Sequence, residues 1–106
     1  MNKKDLINKY INFRLNNQVE NILNMFSNDG YLISLDDITY KGKDNLKNYY
    51  NIPQSISPSV GNVFFSNGKY YVDLSFLGGI KVVRSYFEFN DNNLITKITL
   101  ESIGWI

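Results

Sequence analysis

The sequence has no cysteine and no histidine. These absences exclude disulfide bonds, thiolate nucleophiles, zinc clusters built from the two residue types, and the imidazole that most often acts as a general base near neutral pH. Any catalysis by this chain must therefore use carboxylates, tyrosines, other hydroxyls or lysines. We expect no metal ion and no cofactor.

A strong net charge and a long apolar segment are also missing. The 11 basic and 10 acidic residues leave a net charge of +1, which gives no electrostatic footprint for nucleic acid or an anionic membrane. The nearest approach to a basic patch, Lys41, Lys43 and Lys47, is interleaved with Asp44, and we interpret it as a solvated loop and first helical turn. No apolar run approaches the roughly 20 residues of a membrane span. We expect neither nucleic acid nor membrane as a partner.

The N-terminal segment MNKKDLINKYINF passes from basic to amphipathic without the apolar stretch and small-residue cleavage site of a secretory signal. We therefore expect a cytoplasmic protein. A chain of 106 residues can bury one hydrophobic core but is too short for separate binding and catalytic domains. We interpret residues 1–106 as a single domain.

The first half of the chain has helical spacing followed by a short hairpin. Apolar residues recur at helical intervals over residues 6–13 and again over residues 19–26, which predicts two helices in tandem, the second ended by Asn28-Asp29-Gly30. The segment YLISL is then expected to turn at Asp36-Asp37 and return as ITY.

A third helix and a larger sheet complete the prediction. Gly42 permits a tight turn, and Asp44 can cap a short helix that ends near Tyr50. From residue 60 onward the sequence predicts a meander of three long strands, joined at residues 67–68, 78–79 and 90–93. Helices first and sheet second indicate an α+β domain.

The turn at Gly78-Gly79 sets a register in which Asp73 lies opposite Arg84. These two charges fall on the face of the sheet away from the helices, where they are interpreted as a cross-strand ion pair. The residues predicted to face the helices are Val63, Phe65, Tyr70, Val72, Leu74, Phe76, Val83, Ser85, Phe87 and Phe89.

Strand alternation also places apolar side chains on the outer face, where they form a larger apolar surface than soluble monomers usually expose. The residues placed there are Phe64, Tyr71, Val82, Tyr86, Ile103 and Trp105. Because a sheet face can pair with its own copy about a two-fold axis, we expect a homodimer. Its predicted interface consists of Phe64, Tyr71, Arg84, Tyr86, Ile103 and Trp105. The alternative is an interaction module that uses the same face for a different protein.

Three stretches in the same order resemble the nuclear-transport-factor-2-like superfamily, also called SnoaL-like or ketosteroid-isomerase-like. They are NILNMFSNDGYLIS, YKGKDNLKNYY and YFEFNDNNLITKITL, and the resemblance covers nearly the whole chain. It implies a cone-shaped, cystatin-like roll in which a curved, mostly antiparallel sheet wraps around three N-terminal helices.

The resemblance also implies where isomerase residues would lie, and the chain departs from that pattern. The general-base position falls on Ser34, counted from Asp29, and serine cannot serve as that base. The oxyanion-site acid falls on Ser85, while Tyr10 matches the tyrosine of the first helix. We therefore expect no ketosteroid isomerase activity.

Two hypotheses for the interior remain open beside the interaction module. The first is a pocket that binds a small apolar molecule. Its predicted lining is Tyr10, Phe13, Phe26, Ser34, Tyr50 and Ser85. The second is a small enzyme acting on a hydrophobic substrate, as a dehydratase, a cyclase or an epoxide hydrolase. The catalytic residues are unknown, and the candidates are Tyr10 and an inward-facing Asp73–Arg84 pair.

Overall fold

The computed structural model describes residues 2–54 and 56–105, and of Trp105 only the backbone. Within that part of the chain, three α-helices accompany a six-stranded sheet. The helices are α1 (Lys3–Leu15), α2 (Val19–Leu23) and α3 (Lys43–Tyr50). The strands are β1 (Phe26–Ile33), β2 (Thr39–Lys41), β3 (Ser59–Ser66), β4 (Lys69–Phe76), β5 (Lys81–Phe89) and β6 (Ile95–Trp105).

The strand order across the sheet is β2-β1-β6-β5-β4-β3. Neighbouring strands are antiparallel except for β1 and β6, which are parallel. The predicted α+β class, with a curved and mostly antiparallel sheet, is confirmed.

Helix α1 packs on the sheet through a narrow apolar stripe. The Asn2 side chain accepts a hydrogen bond from the backbone N–H of Asp5 and so caps its start. Ile7, Tyr10 and Ile11 follow at helical spacing and are all buried. Because a helix of 13 residues is marginal on its own, its stability depends on this packing.

The second helix is shorter than the sequence predicts. It ends at Leu23, and Phe26 begins β1 instead of closing the helix. The parallel partner β6 causes the difference, because Phe26 pairs with Ile95. The predicted helix end, Asn28-Asp29-Gly30, lies inside β1 at an irregularity of register. A Cβ on Gly30 would stand 2.9 Å from the carbonyl oxygen of Ile95, so the close approach of the two strands requires glycine there.

The hairpins reproduce the predicted registers. Asp73 lies opposite Arg84, Val72 opposite Ser85, and Phe65 opposite Tyr70. The turns at residues 67–68, 78–79 and 90–93 join four strands, not the predicted three, since each turn separates two strands.

One local prediction about chain geometry is wrong, and a second relies on an alternation that the structure interrupts. Asp44 does not cap α3; Gly42 occupies the cap position with a φ of 84°, which glycine adopts without strain. At the end of β6, a register shift pairs Val83 with Ser102 but Val82 with Gly104. Ile103 therefore lies in a bulge, and simple alternation no longer assigns a face to it or to Trp105.

The helix-facing side of the sheet contains most of the core. Val63, Val72, Val83, Ser85 and Phe87 are buried, as the register predicts. Phe65 is 60% exposed, because β3 is one of the two edge strands of the described sheet. None of the helices in the described residues is long and apolar enough to cross a membrane.

Candidate functional site

A cavity of about 430 Å³ lies between the helices and the inner face of the sheet. Its volume is within the range of small-molecule sites. The described residues that line it are Tyr10, Ile11, Arg14, Leu15, Leu35, Tyr49, Gln54, Ile56, Val72, Leu74, Phe76, Leu77, Lys81, Val83, Ser85, Phe87 and Leu100. The wall is thus largely apolar, with a few polar groups, as in many ligand sites.

A pair of tyrosine hydroxyls marks one wall of the cavity. Tyr10 of α1 and Tyr50 of α3 are both buried, and their hydroxyl oxygens are 2.6 Å apart. The ring of Tyr10 also meets Phe87 edge to face, with centroids 5.2 Å apart. Tyr10 lines the cavity, whereas Tyr50 is behind it. When Tyr50 donates to Tyr10, the Tyr10 proton is available to a ligand oxygen.

Burial keeps these hydroxyls neutral. Loss of solvent is the main cause that raises the pKa of Tyr10 and of Tyr50 above the ordinary value of 10.0. Neither residue is therefore a base near neutral pH. Both can act as hydrogen-bond donors or acceptors.

Ser85 brings a third hydroxyl to the cavity from β5. It is 5% exposed, and its side chain makes no hydrogen bond to any described residue. A hydroxyl of this kind provides a donor and an acceptor for a ligand without a charge. The polar groups of this wall can orient a ligand, but they do not include a carboxylate.

The six predicted lining residues occupy different places. Tyr10 and Ser85 line the cavity, and Tyr50 contacts it only through Tyr10. Phe26 packs against the ring of Tyr50 in the core. Phe13 is half-buried beside Lys9, away from the described lining.

Ser34, the predicted base position, belongs to the turn between β1 and β2. Its hydroxyl oxygen accepts a hydrogen bond from the Ile38 N–H at 3.3 Å, and its own N–H donates to the Ile38 carbonyl at 2.9 Å. The side chain therefore stabilises the turn, and it is not among the described lining residues.

Asp73 and Arg84 form a bidentate ion pair on the outer face of the sheet. The Arg84 Nε donates to Asp73 Oδ1 at 2.8 Å, and the second nitrogen to Oδ2 at 3.0 Å. The hydrogen bonds to Asp73 raise the pKa of Arg84. Neither residue lines the inner cavity, so an inward-facing pair of the epoxide-hydrolase type is not formed there.

An aromatic row runs across the outer face beside this ion pair. Phe64 contacts Tyr71 with ring centroids 5.6 Å apart, and Tyr71 contacts Tyr86 at 5.8 Å. The Arg84 guanidinium carbon is 4.4 Å from the centroid of Tyr71. Phe64 is 52% exposed, while both tyrosines are half-buried by their neighbours. Of the predicted interface, the Trp105 side chain lies outside the described residues.

Sequence reasoning missed three polar residues of the cavity wall: Arg14, Gln54 and Lys81. For two of them, the spacing in the sequence could have indicated a position on the cavity side. Arg14 follows Tyr10 by about one helical turn, and Lys81 lies on the same side of β5 as Ser85 by strand alternation. Gln54 lies in the loop after α3, for which no periodicity exists. Among the described residues, no group of three Asp or Glu side chains could hold a metal ion.

Comparison with known proteins identifies the fold. The chain is similar to a protein from Sphaerobacter thermophilus of known crystal structure, with 14% identity over 97% of both chains and a TM-score of 0.83. It is also similar to a "putative ketosteroid isomerase" from Kribbella flavida DSM 17836, with 15% identity, a TM-score of 0.78, and coverage of 97% of this chain and 78% of the other.

No protein-family model and no curated protein matches the sequence. At such low identity, the structural likeness concerns the fold and not the activity. The helices, the strand order and these two structures agree with the fold that the resemblance in the sequence implies. The chain has the fold of these two structures, one of which is named a putative ketosteroid isomerase.

Proposed function

We propose that the chain binds a small apolar molecule in the cavity between its helices and its sheet. The observation that carries this proposal is the combination of an apolar wall with the hydroxyls of Tyr10 and Ser85, in a cavity of about 430 Å³. The apolar wall provides affinity, and the hydroxyls orient one polar atom of the ligand. The resemblance implies Ser34 and Ser85 at the positions of the isomerase carboxylates, and none of the described lining residues is Asp or Glu, so the proposal is of binding rather than proton abstraction.

Two matched substitutions test this proposal. Ser85→Leu fills part of the cavity, while Ser75→Leu makes the same change on β4 at a position that alternation places on the outer face. Calorimetric titration with 1-decanol is expected to show binding to the original chain and to Ser75→Leu, but weaker binding to Ser85→Leu. The proposal fails if none of the three proteins binds, or if Ser85→Leu binds as well as Ser75→Leu.

An enzyme acting on a hydrophobic substrate is the alternative use of the same cavity. Its support is weaker, because none of the described lining residues is Asp or Glu. Tyr10 remains the candidate catalytic residue, as a neutral hydrogen-bond donor. A screen with epoxide, hydroxy-acyl and polyketide-like substrates tests it, and turnover that Tyr10→Phe abolishes would replace the binding proposal.

For the outer face, we propose pairing with a second copy of the chain in the cytoplasm. The face carries exposed Phe64 beside Tyr71 and Tyr86. It also carries both signs of charge, with Arg84 beside Asp73 and Lys97 beside Glu88. A surface with both signs can be complementary to itself when a two-fold axis brings two copies together.

Sedimentation analysis tests this pairing. Tyr86→Glu is expected to convert a dimer to a monomer, because it places a charge within the aromatic row. Asn8→Glu adds the same charge to an exposed position on α1 and is expected to remain dimeric. A Tyr86→Glu protein that stays dimeric would contradict the proposed interface. An original chain that is monomeric would favour the interaction module with a different partner.

A further inference from the structure

The cavity wall contains two cationic side chains and no described acid. Arg14 from α1 and Lys81 from β5 both line the cavity, on opposite layers of the domain. None of the described lining residues is Asp or Glu. The cavity is therefore apolar in most of its wall, and the Arg14 guanidinium gives that wall a positively charged group.

The guanidinium of Arg14 is fixed in place by the end of α3 and the loop that follows. Its Nη1 donates to the Ile52 carbonyl oxygen at 3.1 Å. Its central carbon is 5.2 Å from the ring centroid of Tyr50 and 5.5 Å from that of Tyr49. These two cation–π contacts hold the guanidinium near one position and reduce the freedom that binding would otherwise remove.

No described carboxylate forms an ion pair with Arg14. The described ion pairs involve Lys47, Lys69, Arg84 and Lys97, and Arg14 is absent from them. A guanidinium has five N–H donors, and the hydrogen bonds to the Ile52 carbonyl and the Tyr49 side chain use only some of them. Donors therefore remain for an acceptor group that enters the cavity.

We propose that the natural ligand is an amphipathic anion, an apolar molecule that carries a carboxylate. This inference rests on the proposed binding function. The Arg14 guanidinium matches a carboxylate with charge-assisted hydrogen bonds. The apolar wall formed by residues such as Leu74, Val83 and Leu100 receives the rest of the molecule.

A neutral or cationic ligand fits this wall less well. A neutral molecule that fills the cavity removes water from Arg14 without providing an opposite charge, which costs free energy. A cationic molecule would meet a charge of its own sign. The order of affinity expected from the wall is therefore anion, then neutral molecule, then cation.

Calorimetric titration at neutral pH with three probes of equal chain length tests this order: decanoate, 1-decanol and decyltrimethylammonium. Decanoate is expected to bind at least about tenfold more tightly than decanol, as a charged hydrogen bond would give. Arg14→Met is expected to remove most of that preference while leaving the affinity for decanol nearly unchanged. Arg14→Lys, which keeps the charge, is expected to retain part of the preference.

Lys4→Met is the control, because it removes an exposed charge from the same helix away from the cavity. It is expected to bind all three probes as the original chain does. Equal affinities of the original chain for decanoate and decanol would overturn the anion inference and leave the proposed binding function standing. Binding of none of the probes would overturn the proposed function itself. A preference that survives Arg14→Met would overturn the role of Arg14.

Discussion

A polar pair lies on each side of the sheet, one between the helices that cover the inner face and one on the outer face, and the two pairs differ in residue type and in burial. On the inner face, Tyr10 and Tyr50 are buried and share one hydrogen bond between neutral hydroxyls. On the outer face, the Asp73 and Arg84 side chains are 31% and 28% exposed and form a charged, bidentate pair. The inner environment raises the pKa of the two tyrosines by removing water, whereas on the outer face the hydrogen bonds to Asp73 raise the pKa of Arg84.

This difference assigns the two faces different uses. Neutral donors in an apolar cavity suit recognition of a small molecule, while an ion pair beside aromatic rings suits a surface. Substitutions on the two faces should therefore differ in cost, and matched pairs can test that expectation.

The largest contrast is expected between two phenylalanines. Phe87 is 1% exposed and packs against Tyr10, so Phe87→Ala should lower the free energy of unfolding by about 3 kcal/mol or more. Phe64 is 52% exposed, and Phe64→Ala should change it by only about 0.5 kcal/mol. Urea denaturation measures both. The comparison uses Tyr86→Glu as a common background, so that pairing with a second copy does not add to the result. Equal costs would mean that the two faces are equally covered.

A second contrast concerns alkaline pH. The folded chain holds Tyr10 and Tyr50 protonated above their ordinary pKa of 10.0, because burial penalises the charged form. Their contribution to stability is complete below about pH 10 and is lost as the pH rises towards the folded values, since the unfolded chain releases its protons first. Between its unfolded and its folded pKa, each tyrosine lowers the free energy of unfolding by about 1.4 kcal/mol for each pH unit. Urea denaturation at a series of alkaline pH values should show that the free energy of unfolding falls less steeply with pH in the double variant Tyr10→Phe/Tyr50→Phe. The same slope in both proteins would show that these two tyrosines do not cause the pH dependence.

A third test removes one hydroxyl from the inner pair. Tyr50→Phe leaves the buried Tyr10 hydroxyl without its partner, which should cost about 1–3 kcal/mol. The double variant Tyr10→Phe/Tyr50→Phe removes both groups and should cost less than the sum of the two single changes. Urea denaturation of all four proteins gives the coupling energy. Strict additivity would show that the hydroxyls do not interact.

The smallest effect is expected for the outer pair. A double-mutant cycle with Asp73→Ala and Arg84→Ala should give a coupling of about 0.2–1 kcal/mol, reduced by added salt because both groups are partly exposed. Thermal denaturation at two salt concentrations measures it. A coupling that exceeds that of the Tyr10–Tyr50 pair would reverse the proposed order of the two faces.

The sequence predicted the sheet better than it predicted the cavity. Turn residues fix hairpin registers locally, so Gly78-Gly79 made the pairing of Asp73 with Arg84 and the position of Ser85 predictable from neighbouring residues alone. The position of Phe26 in a strand was not predictable in this way. Its partner Ile95 is distant in sequence, and two parallel strands are not joined by a local turn that would indicate their pairing.

The cavity depends on contacts of the same distant kind. Arg14 belongs to it because α3 and its following loop hold the guanidinium over Tyr49 and Tyr50, which no pattern in α1 indicates. Likewise, the bulge at Ile103 arises from a mismatch between β5 and β6 that alternation cannot predict. Periodicity thus assigns a face to a side chain, but the packing of distant elements decides whether that face encloses a space.

The most direct test of the central claim, that the inner face binds the ligand, compares two adjacent residues of β5. Val83 lines the cavity, and Val82 does not. Nuclear Overhauser effects between bound 1-decanol and methyl-labelled protein are expected at the methyl groups of Val83 and Leu74, and absent at those of Val82. Effects at Val82 alone, or none at saturating 1-decanol, would contradict the account.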